Sequence, residues 1–409
     1  MLALMLMAVL STTEPDLSAL LKEVSPDRLR ATVEKLTSFQ TRNTLSPMLT
    51  EAAEWLAAEY RSIPGVQVEI MRYTIAKSRR VPEDKEVVQV LAWLPGSEST
   101  VSNQSSTING RAILAGGHFD SLNLQADVAT GRAPGANDDA SGTALALELA
   151  RVMSRRKWPQ TLVFCGFSGE EQGLNGSRAL ARRAKAEGWK IEAVLNNDMV
   201  GNSQNKLGQK DDRKVRVFSG EYVPQAAEGA AGPSARPPHN SRELARFIEW
   251  ITRGKVKGFG IKLVFRQDRF GRGGDHTPFM EEGFSAVRFV EVHEEYTRQH
   301  TPDDLPKDMD WRYLANNTRM NLIAMASLAE AGPAPTNVRI DLRQGHDTTL
   351  TWATTPGTRY IVYWRDTASP TWQGFRDVGS VDKATIEKVN KDDHVFAVGA
   401  IGGLPVIAR

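Results

Sequence analysis

The chain has a single cysteine in 409 residues, which excludes an intrachain disulfide framework. It has no apolar run long enough to cross a bilayer as a helix, so stable membrane insertion is not expected. It also lacks an excess of one charge: 51 Lys and Arg face 49 Asp and Glu, and the net charge of +2 argues against a nucleic-acid-binding protein. The one thiol, Cys165, lies in the apolar run 161–165 and is interpreted as a buried small hydrophobe.

The length and composition indicate a soluble protein of more than one domain. Hydrophobic residues make up 41% of the chain and charged residues 24%, and 409 residues exceed one ordinary core. Met1 to Leu10 is almost wholly apolar, and residues 1–16 are interpreted as the remnant of an export signal, with a helix packed on the core as the alternative. We therefore expect an exported protein, periplasmic or extracellular.

Helical and strand-like segments alternate over residues 17–332, which predicts an α/β domain with a mostly parallel central sheet flanked by helices. Most of the strand candidates are continuously apolar, as expected for a sheet covered on both faces. The strand candidates are 66–70, 87–93, 111–115, 161–165, 193–195, 215–218, 261–265 and 286–290. The first of these alternates and is expected at a sheet edge. Residues 202–240 are predicted to be a long surface excursion, either a lid or plain surface.

The pattern changes after Gly332-Pro333-Ala334-Pro335. Short alternating runs such as Leu350/Trp352 follow, separated by turn signals and without an amphipathic helix. Residues 336–409 are therefore predicted to form a small all-β sandwich, which resembles a fibronectin type III-like domain only in its strand pattern.

Metal-type side chains follow several of the predicted strands. They are His118 and Asp120, the pair Glu170-Glu171, Asp198 and His300, and Asp138 precedes a helix. The carboxyl ends of strands in open α/β sheets form the usual ligand site, so these groups are expected to meet there.

Two imidazoles and several carboxylates suit zinc, and so many carboxylates in one cleft need cations to neutralise them. Five ligands with one shared carboxylate would serve two zinc ions. In the pair Glu170-Glu171, one carboxylate can bind metal while the other takes a proton from a water molecule.

These stretches are similar to those of peptidase family M28, the co-catalytic zinc aminopeptidases, and they occur in family order over residues 110–305. The matching stretches are Gly117-His118-Phe119-Asp120-Ser121, 135–142, 167–177, Asn197-Asp198-Met199-Val200-Gly201, Gly274-Asp275-His276-Thr277-Pro278-Phe279 and His300-Thr301-Pro302-Asp303-Asp304. The resemblance implies a zinc exopeptidase type of fold and two zinc ions per chain.

The resemblance also assigns roles by position. His118 and Asp198 would hold one zinc ion, Glu171 and His300 the other, and Asp138 would bridge them. Glu170 would be the general base. The peptide bond Asp138–Asp139 is expected to be cis.

Further residues are given roles around the ligands, and Asp139, next to Asp138, is assigned a supporting one. Asp120 is expected to act in catalysis by orienting the ring of His118. Asp275 and His276 match a stretch that lines the family's site, so they are assigned a supporting role.

The sequence departs from the family in its oxyanion donor. Family members often use a tyrosine just before the last histidine or shortly before the Asp-His motif, and here those places hold Gln299 and, approximately, Phe270. Tyr296 is named as a substitute. A second alternative, that His293 replaces His300 as a ligand, stays open.

The resulting hypothesis is an aminopeptidase that hydrolyses N-terminal residues from peptides, with Glu170 activating the attacking water. One alternative is a carboxypeptidase or a glutaminyl cyclase-like enzyme on the same scaffold. Another is a non-catalytic binding or adhesion protein with a vestigial metal site. The sequence leaves the oligomeric state open.

Overall fold

A computed structural model of the chain describes residues 16–99, 108–220 and 240–409. Apart from Asp16, the predicted export signal remnant lies outside the described residues. No helix within the described ranges is both long and apolar enough to cross a membrane.

One eight-stranded sheet forms the centre of the larger part of the chain. Its strands run in the order β1-β2-β4-β3-β5-β8-β6-β7. The strands are β1 (Gln67–Ile75), β2 (Lys85–Leu94), β3 (Arg111–His118), β4 (Thr161–Phe167), β5 (Lys190–Asn197), β6 (Lys214–Phe218), β7 (Gly260–Val264) and β8 (Ala286–Glu291). The alternating strand β1 lies at the edge, as predicted. The pairs β3–β4, β3–β5, β5–β8 and β6–β7 are parallel and the other three are antiparallel, so a parallel centre is extended by antiparallel pairings.

Eight α-helices accompany this sheet in the described ranges. They are α1 (Ser18–Glu23), α2 (Pro26–Ser38), α3 (Met48–Arg61), α4 (Ser141–Met153), α5 (Asn175–Ala186), α6 (Ser241–Thr252), α7 (His276–Glu281) and α8 (Trp311–Glu330). Side-chain caps fix two of the starts: Ser25 accepts from Arg28 N before α2, and Asp310 accepts from Tyr313 N before α8.

The helices cover both faces of the sheet, which explains why its strands are apolar on both sides. Ile113 and Phe164 face the cluster formed by α2, α3, α4, α6 and α8. Leu114 and Val163, one residue away in each strand, face the smaller cluster formed with α5 and α7. Cys165 is buried in the second cluster, as predicted.

The predicted surface excursion at residues 202–240 is corrected in part. Lys214–Phe218 is strand β6 inside the sheet, where it pairs with β8 on one side and β7 on the other. Residues 221–239 lie outside the described ranges.

Two antiparallel sheets, called the C-terminal sandwich below, follow α8. One has the order β13-β10-β9 and the other β12-β11-β14-β15. The strands are β9 (Thr336–Ile340), β10 (Thr348–Ala353), β11 (Tyr360–Asp366), β12 (Gly374–Gly379), β13 (Lys383–Ile386), β14 (His394–Ala400) and β15 (Val406–Ile407). Leu350 and Trp352 from one sheet meet Tyr360, Val362 and Val398 from the other in one core. The exact domain boundaries stay a prediction.

Candidate metal centre

The five predicted metal ligands lie together at the carboxyl edge of the parallel strands. His118 is the last residue of β3, and Asp198 directly follows β5. His118 Nε2 lies 3.1 Å from Asp138 Oδ1 and 4.0 Å from Asp198 Oδ1. His300 Nε2 lies 3.2 Å from Asp138 Oδ2 and 3.1 Å from Glu171 Oε2. The two oxygens of Asp138 thus face two different imidazoles, each with a further carboxylate beside it.

The spacing of these donor atoms fits divalent cations. Single donor atoms of His118, Asp138 and Glu171 lie within 4.8 Å of one another, and the same holds for His118, Glu170 and Asp198. Donors about 2.0–2.2 Å from one zinc ion are themselves roughly 3–3.5 Å apart. Glu171 Oε1 is buried and has no hydrogen-bond partner among the described residues. A buried carboxylate oxygen without a partner is what a metal ligand presents before its cation is added.

The electrostatics of the cluster also call for positive charge. Burial, followed by the charges of Glu171 and Asp198, raises the pKa of Glu170 well above its usual range, with His118 opposing. Burial disfavours the ionised form of Asp138 as well, but hydrogen bonds from His118 and His300 hold its pKa well below the usual range. Burial lowers the pKa of His300, yet Asp138 and Glu171 raise it overall to about 11. The carboxylates around the two imidazoles thus favour positive charge at this place, which bound metal ions would supply.

A buried turn over Ala136–Ala140 presents Asp138, and its peptide bond Asp138–Asp139 is cis, as predicted. The carboxylate of Asp304 accepts hydrogen bonds from Asn137 N and from Asp138 N, each at 2.9 Å. Asp304 therefore fixes the backbone that carries the shared carboxylate. Asp304 belongs to the same stretch as His300. This one segment therefore supplies the candidate ligand His300 and also holds the backbone of the candidate ligand Asp138.

Asp139 supports the centre, because its carboxylate accepts hydrogen bonds from three backbone amides. It accepts from His118 N at 3.1 Å, Gly142 N at 2.8 Å and Met199 N at 3.2 Å. It therefore ties the end of β3 to the start of α4 and to the segment after β5. A Cβ on Gly142 would lie 2.0 Å from Asn197 O, so this close approach requires glycine.

Asp120 connects three of the site residues. Its Oδ1 lies 3.4 Å from His118 Nδ1, and its two oxygens face Glu170 N at 3.4 Å and Glu171 N at 3.2 Å. His118 Nδ1 also lies 3.1 Å from the backbone oxygen of Asp120. Asp120 thus positions the ring of His118 and the Glu170-Glu171 pair, and the predicted role of Asp120 in catalysis becomes one of positioning.

The predicted supporting pair Asp275-His276 is buried behind the ligands. Burial raises the pKa of Asp275 to about 7, where neighbouring His118 opposes the shift. His276 Nε2 lies 2.8 Å from the backbone oxygen of Gln267, and burial lowers the pKa of His276 to about 4. Neither residue belongs to the groups of closely spaced donors described above.

The predicted supporting role of Tyr296 is corrected. Its side chain is 58% exposed, lines a separate surface depression together with His293, and donates to Glu294 Oε1 at 3.1 Å. Instead, Gln299 Nε2 donates to Asp138 Oδ2 at 2.6 Å. His293 lies in that depression, so His300, and not His293, joins His118 at the centre.

Arg288 is a site residue that the sequence analysis did not identify. It is buried on β8, and its guanidinium lies 2.9 Å from Asp198 Oδ2 and 2.8 Å from Asp268 Oδ2. Arg288 thus contacts Oδ2 of Asp198, whereas His118 lies near Oδ1. The available signal was an arginine inside the otherwise apolar run 286–290, since a buried charge needs a partner.

The centre opens into a cleft of about 670 Å³. Asp138, Glu170, Glu171, Asp198 and His300 line it. Its other lining residues include the apolar Leu122, Leu124 and Val128, the amides Gln172 and Gln299, and five arginines. A cleft of this size admits a few residues of a peptide.

The model of peptidase family M28 matches residues 100–325, which contain every residue of the centre. The chain belongs to this family. A "probable zinc metalloprotease" of Leptosphaeria maculans is 35% identical over 95% of this chain and 94% of the relative. The predicted enzyme class, a zinc metallopeptidase, is confirmed by this membership.

Solved structures confirm the predicted fold class. The crystal structure of the LapA aminopeptidase of Legionella pneumophila shares 20% identity with a TM-score of 0.57, over 76% of this chain and 74% of that one. A glutaminyl cyclase of Fimbriiglobus ruber shares 18% identity with a TM-score of 0.54, over 74% of this chain and 95% of that one. At these identities the likeness concerns the fold.

Proposed function

We propose that this member of family M28 is an aminopeptidase with two zinc ions in one centre. His118 and Asp198 would hold one ion, Glu171 and His300 the other, and Asp138 both. The observation that carries this assignment is the position of Asp138, with Oδ1 3.1 Å from one imidazole and Oδ2 3.2 Å from the other. One carboxylate between two nitrogen donors is the arrangement that a shared ligand needs.

The chemistry divides between the metals and the side chains. Bound zinc polarises a carbonyl group and lowers the pKa of water to near 7. Glu170 lines the cleft beside the donors of His118 and Asp198, where a carboxylate can accept a proton and return it. It would take the proton of the attacking water and pass it to the leaving amine.

Gln299 replaces the tyrosine that the family often uses as an oxyanion donor. Its Oε1 accepts from Arg272 Nη2 at 2.9 Å, so its Nε2 is turned toward the centre, where it lies 2.6 Å from Asp138 Oδ2. An amide donor fixed in this orientation is suited to stabilise negative charge that develops on the substrate oxygen.

The choice of an aminopeptidase over related reactions rests on the motifs of residues 110–305 and agrees with the structural likeness to LapA. The structural likeness to a glutaminyl cyclase makes cyclisation of N-terminal glutamine the alternative reaction to test. Peptides with free and with acetylated N-termini separate these reactions. An aminopeptidase cleaves only the free peptides, a carboxypeptidase cleaves both, and a cyclase acts on N-terminal glutamine without hydrolysing a peptide bond.

The direct test is Glu170→Gln. It removes the proton acceptor while keeping the shape, so kcat should fall by about 10²- to 10⁴-fold with the zinc content unchanged. Peptide hydrolysis and zinc analysis of the same preparation measure both. Glu54→Gln, at an exposed position of α3, is the matched control and should retain the parent's kcat. A Glu170→Gln protein as active as the parent contradicts the assignment.

A further inference from the structure

The described residues that line the cleft above the metal centre include more arginines than carboxylates. Five arginines line it: Arg79, Arg80, Arg269, Arg272 and Arg288. Two of the five form ion pairs within the protein. Arg288 lies against Asp198 and Asp268, and Arg269 pairs with Asp268 and Glu294.

The other three, Arg79, Arg80 and Arg272, form what we call the rim arginines. All three are exposed, and none has a carboxylate within 4.0 Å in the part of the chain that the structure describes. Arg80 Nη1 donates to the backbone oxygen of Glu171 at 2.6 Å, and Arg272 Nη2 donates to Gln299 Oε1 at 2.9 Å. Neutral acceptors therefore anchor two of them beside the candidate ligand Glu171 and the candidate oxyanion donor Gln299, and their charge stays unbalanced.

The carboxylates of the cleft cannot supply this balance. Within the described ranges, those that line it are Asp138, Glu170, Glu171 and Asp198, all at the metal centre. Under the proposed function they are taken by two divalent ions and by the proton transfer. A guanidinium has five N–H donors, and Arg80 uses one of them in the described contacts. Each rim arginine can therefore still bind a carboxylate of the substrate.

We propose that the rim arginines form a subsite for a substrate carboxylate close to the bond that is cleaved, so that the enzyme prefers acidic peptides. The carboxylate is either an acidic side chain or the free C-terminus of a short peptide. This inference rests on the proposed function for the position of the reacting bond. Partly exposed Arg–carboxylate pairs are individually modest, so two or three together should raise kcat/KM about tenfold.

Four peptides of equal length distinguish the two sources of the carboxylate: Leu-Gln-Ala-amide, Leu-Glu-Ala-amide, Glu-Leu-Ala-amide and Leu-Gln-Ala with a free C-terminus. The first is neutral beyond its N-terminus and serves as the reference. We expect kcat/KM about tenfold above the reference for at least one of the others. A preference for glutamate at the first or second place identifies a side-chain subsite, and a preference for the free acid identifies a C-terminal one.

The double variant Arg79→Gln/Arg80→Gln tests the residues. Arg272 is left in place because it also orients Gln299. The ratio of kcat/KM for the preferred acidic peptide to that for the reference should fall to near one. Arg132→Gln is the matched control: Arg132 is exposed on the loop that contributes Leu122, Leu124 and Val128, but it does not line the cleft. Its ratio should equal the parent's.

Binding gives a second readout that does not depend on turnover. Calorimetry of the four peptides with the Glu170→Gln protein should show the same preference in Kd, and the two arginine substitutions added to that protein should remove it. Equal affinity for acidic and neutral peptides, or a preference that survives the double variant, overturns the subsite. Absence of peptide hydrolysis in the parent, with the binding preference intact, would instead overturn the proposed function and leave the subsite standing.

Discussion

The metal centre and the C-terminal sandwich show two opposite uses of burial. At the centre, ionisable side chains are buried: Asp138 and His118 are 5% exposed or less, and the carboxylate of Asp138 lies between two imidazoles. In the sandwich, the buried side chains are mostly apolar. Leu350 and Val398 are fully buried, and ion pairs such as Arg359–Asp377 lie at the surface. Burying charge costs free energy unless partners compensate it, whereas burying apolar surface stabilises. The apolar core thus stabilises the sandwich, whereas the strand ends of the larger sheet keep buried charges that need compensating partners.

The largest stability effect outside the centre is expected at Leu350. Leu350→Ala removes a fully buried side chain from the core of the sandwich, which should lower its free energy of unfolding by about 2–5 kcal/mol. Calorimetric unfolding measures the loss. Since the metal centre lies in the other sheet, the rate of peptide hydrolysis per folded molecule should stay at the parent's value.

Leu342→Ala is the matched control, because Leu342 is 77% exposed in the same region. It should change the stability by no more than about 0.5 kcal/mol. Equal effects of the two substitutions would contradict the stabilising role of the buried apolar core. A loss of hydrolysis per folded molecule in Leu350→Ala would contradict the independence of the metal centre from the sandwich.

An intermediate effect is expected at Asp268, which supports the centre through Arg288. Burial opposes its charge, but Arg288, His276 and Arg269 hold the pKa of Asp268 at about 2. Because this folded-state pKa lies below the unfolded value of 3.8, its stabilisation is complete above about pH 4 and is lost as the pH falls through 2. Asp268→Asn should therefore cost about 2 kcal/mol at neutral pH and flatten the acid dependence.

The measurement is the free energy of unfolding from pH 7 to pH 2. Arg359→Gln breaks the surface pair Arg359–Asp377 of the sandwich, where the arginine side chain is 56% exposed, and should cost about 0.5 kcal/mol or less at every pH. If Arg359→Gln lowered the free energy of unfolding as much as Asp268→Asn does, exposed and buried charges would contribute alike. That result would contradict the contrast between the two regions.

The sequence could predict the eight strands and the residues at their ends, because apolar runs of strand length mark strands on their own. The ends of such runs also indicated His118 and Asp198 as candidate ligands. The choice of all five ligands, with Asp138 shared, came from the resemblance to family M28. Whether each pair of strands is parallel or antiparallel was only partly predictable. Local apolarity does not encode direction, so the antiparallel pairing of β6 with β8 and the place of β6 within the sheet were missed.

Side chains that act across long sequence distances were harder to predict. Arg288 meets Asp198, ninety residues away in the chain, only because β5 and β8 are neighbours. Tyr296 was named as a substitute for the family's tyrosine by residue type, but Gln299 is the side chain that reaches Asp138. Loop direction depends on tertiary contacts that a residue pattern does not contain.

The number of zinc ions bound per chain tests the central claim most directly. Elemental analysis of protein dialysed against metal-free buffer should give two zinc ions per chain for the parent, and Asp138→Ala should lose most of both because each ion loses its shared ligand. Two ions retained by Asp138→Ala, or a fully active parent with one ion, would contradict the shared-carboxylate centre.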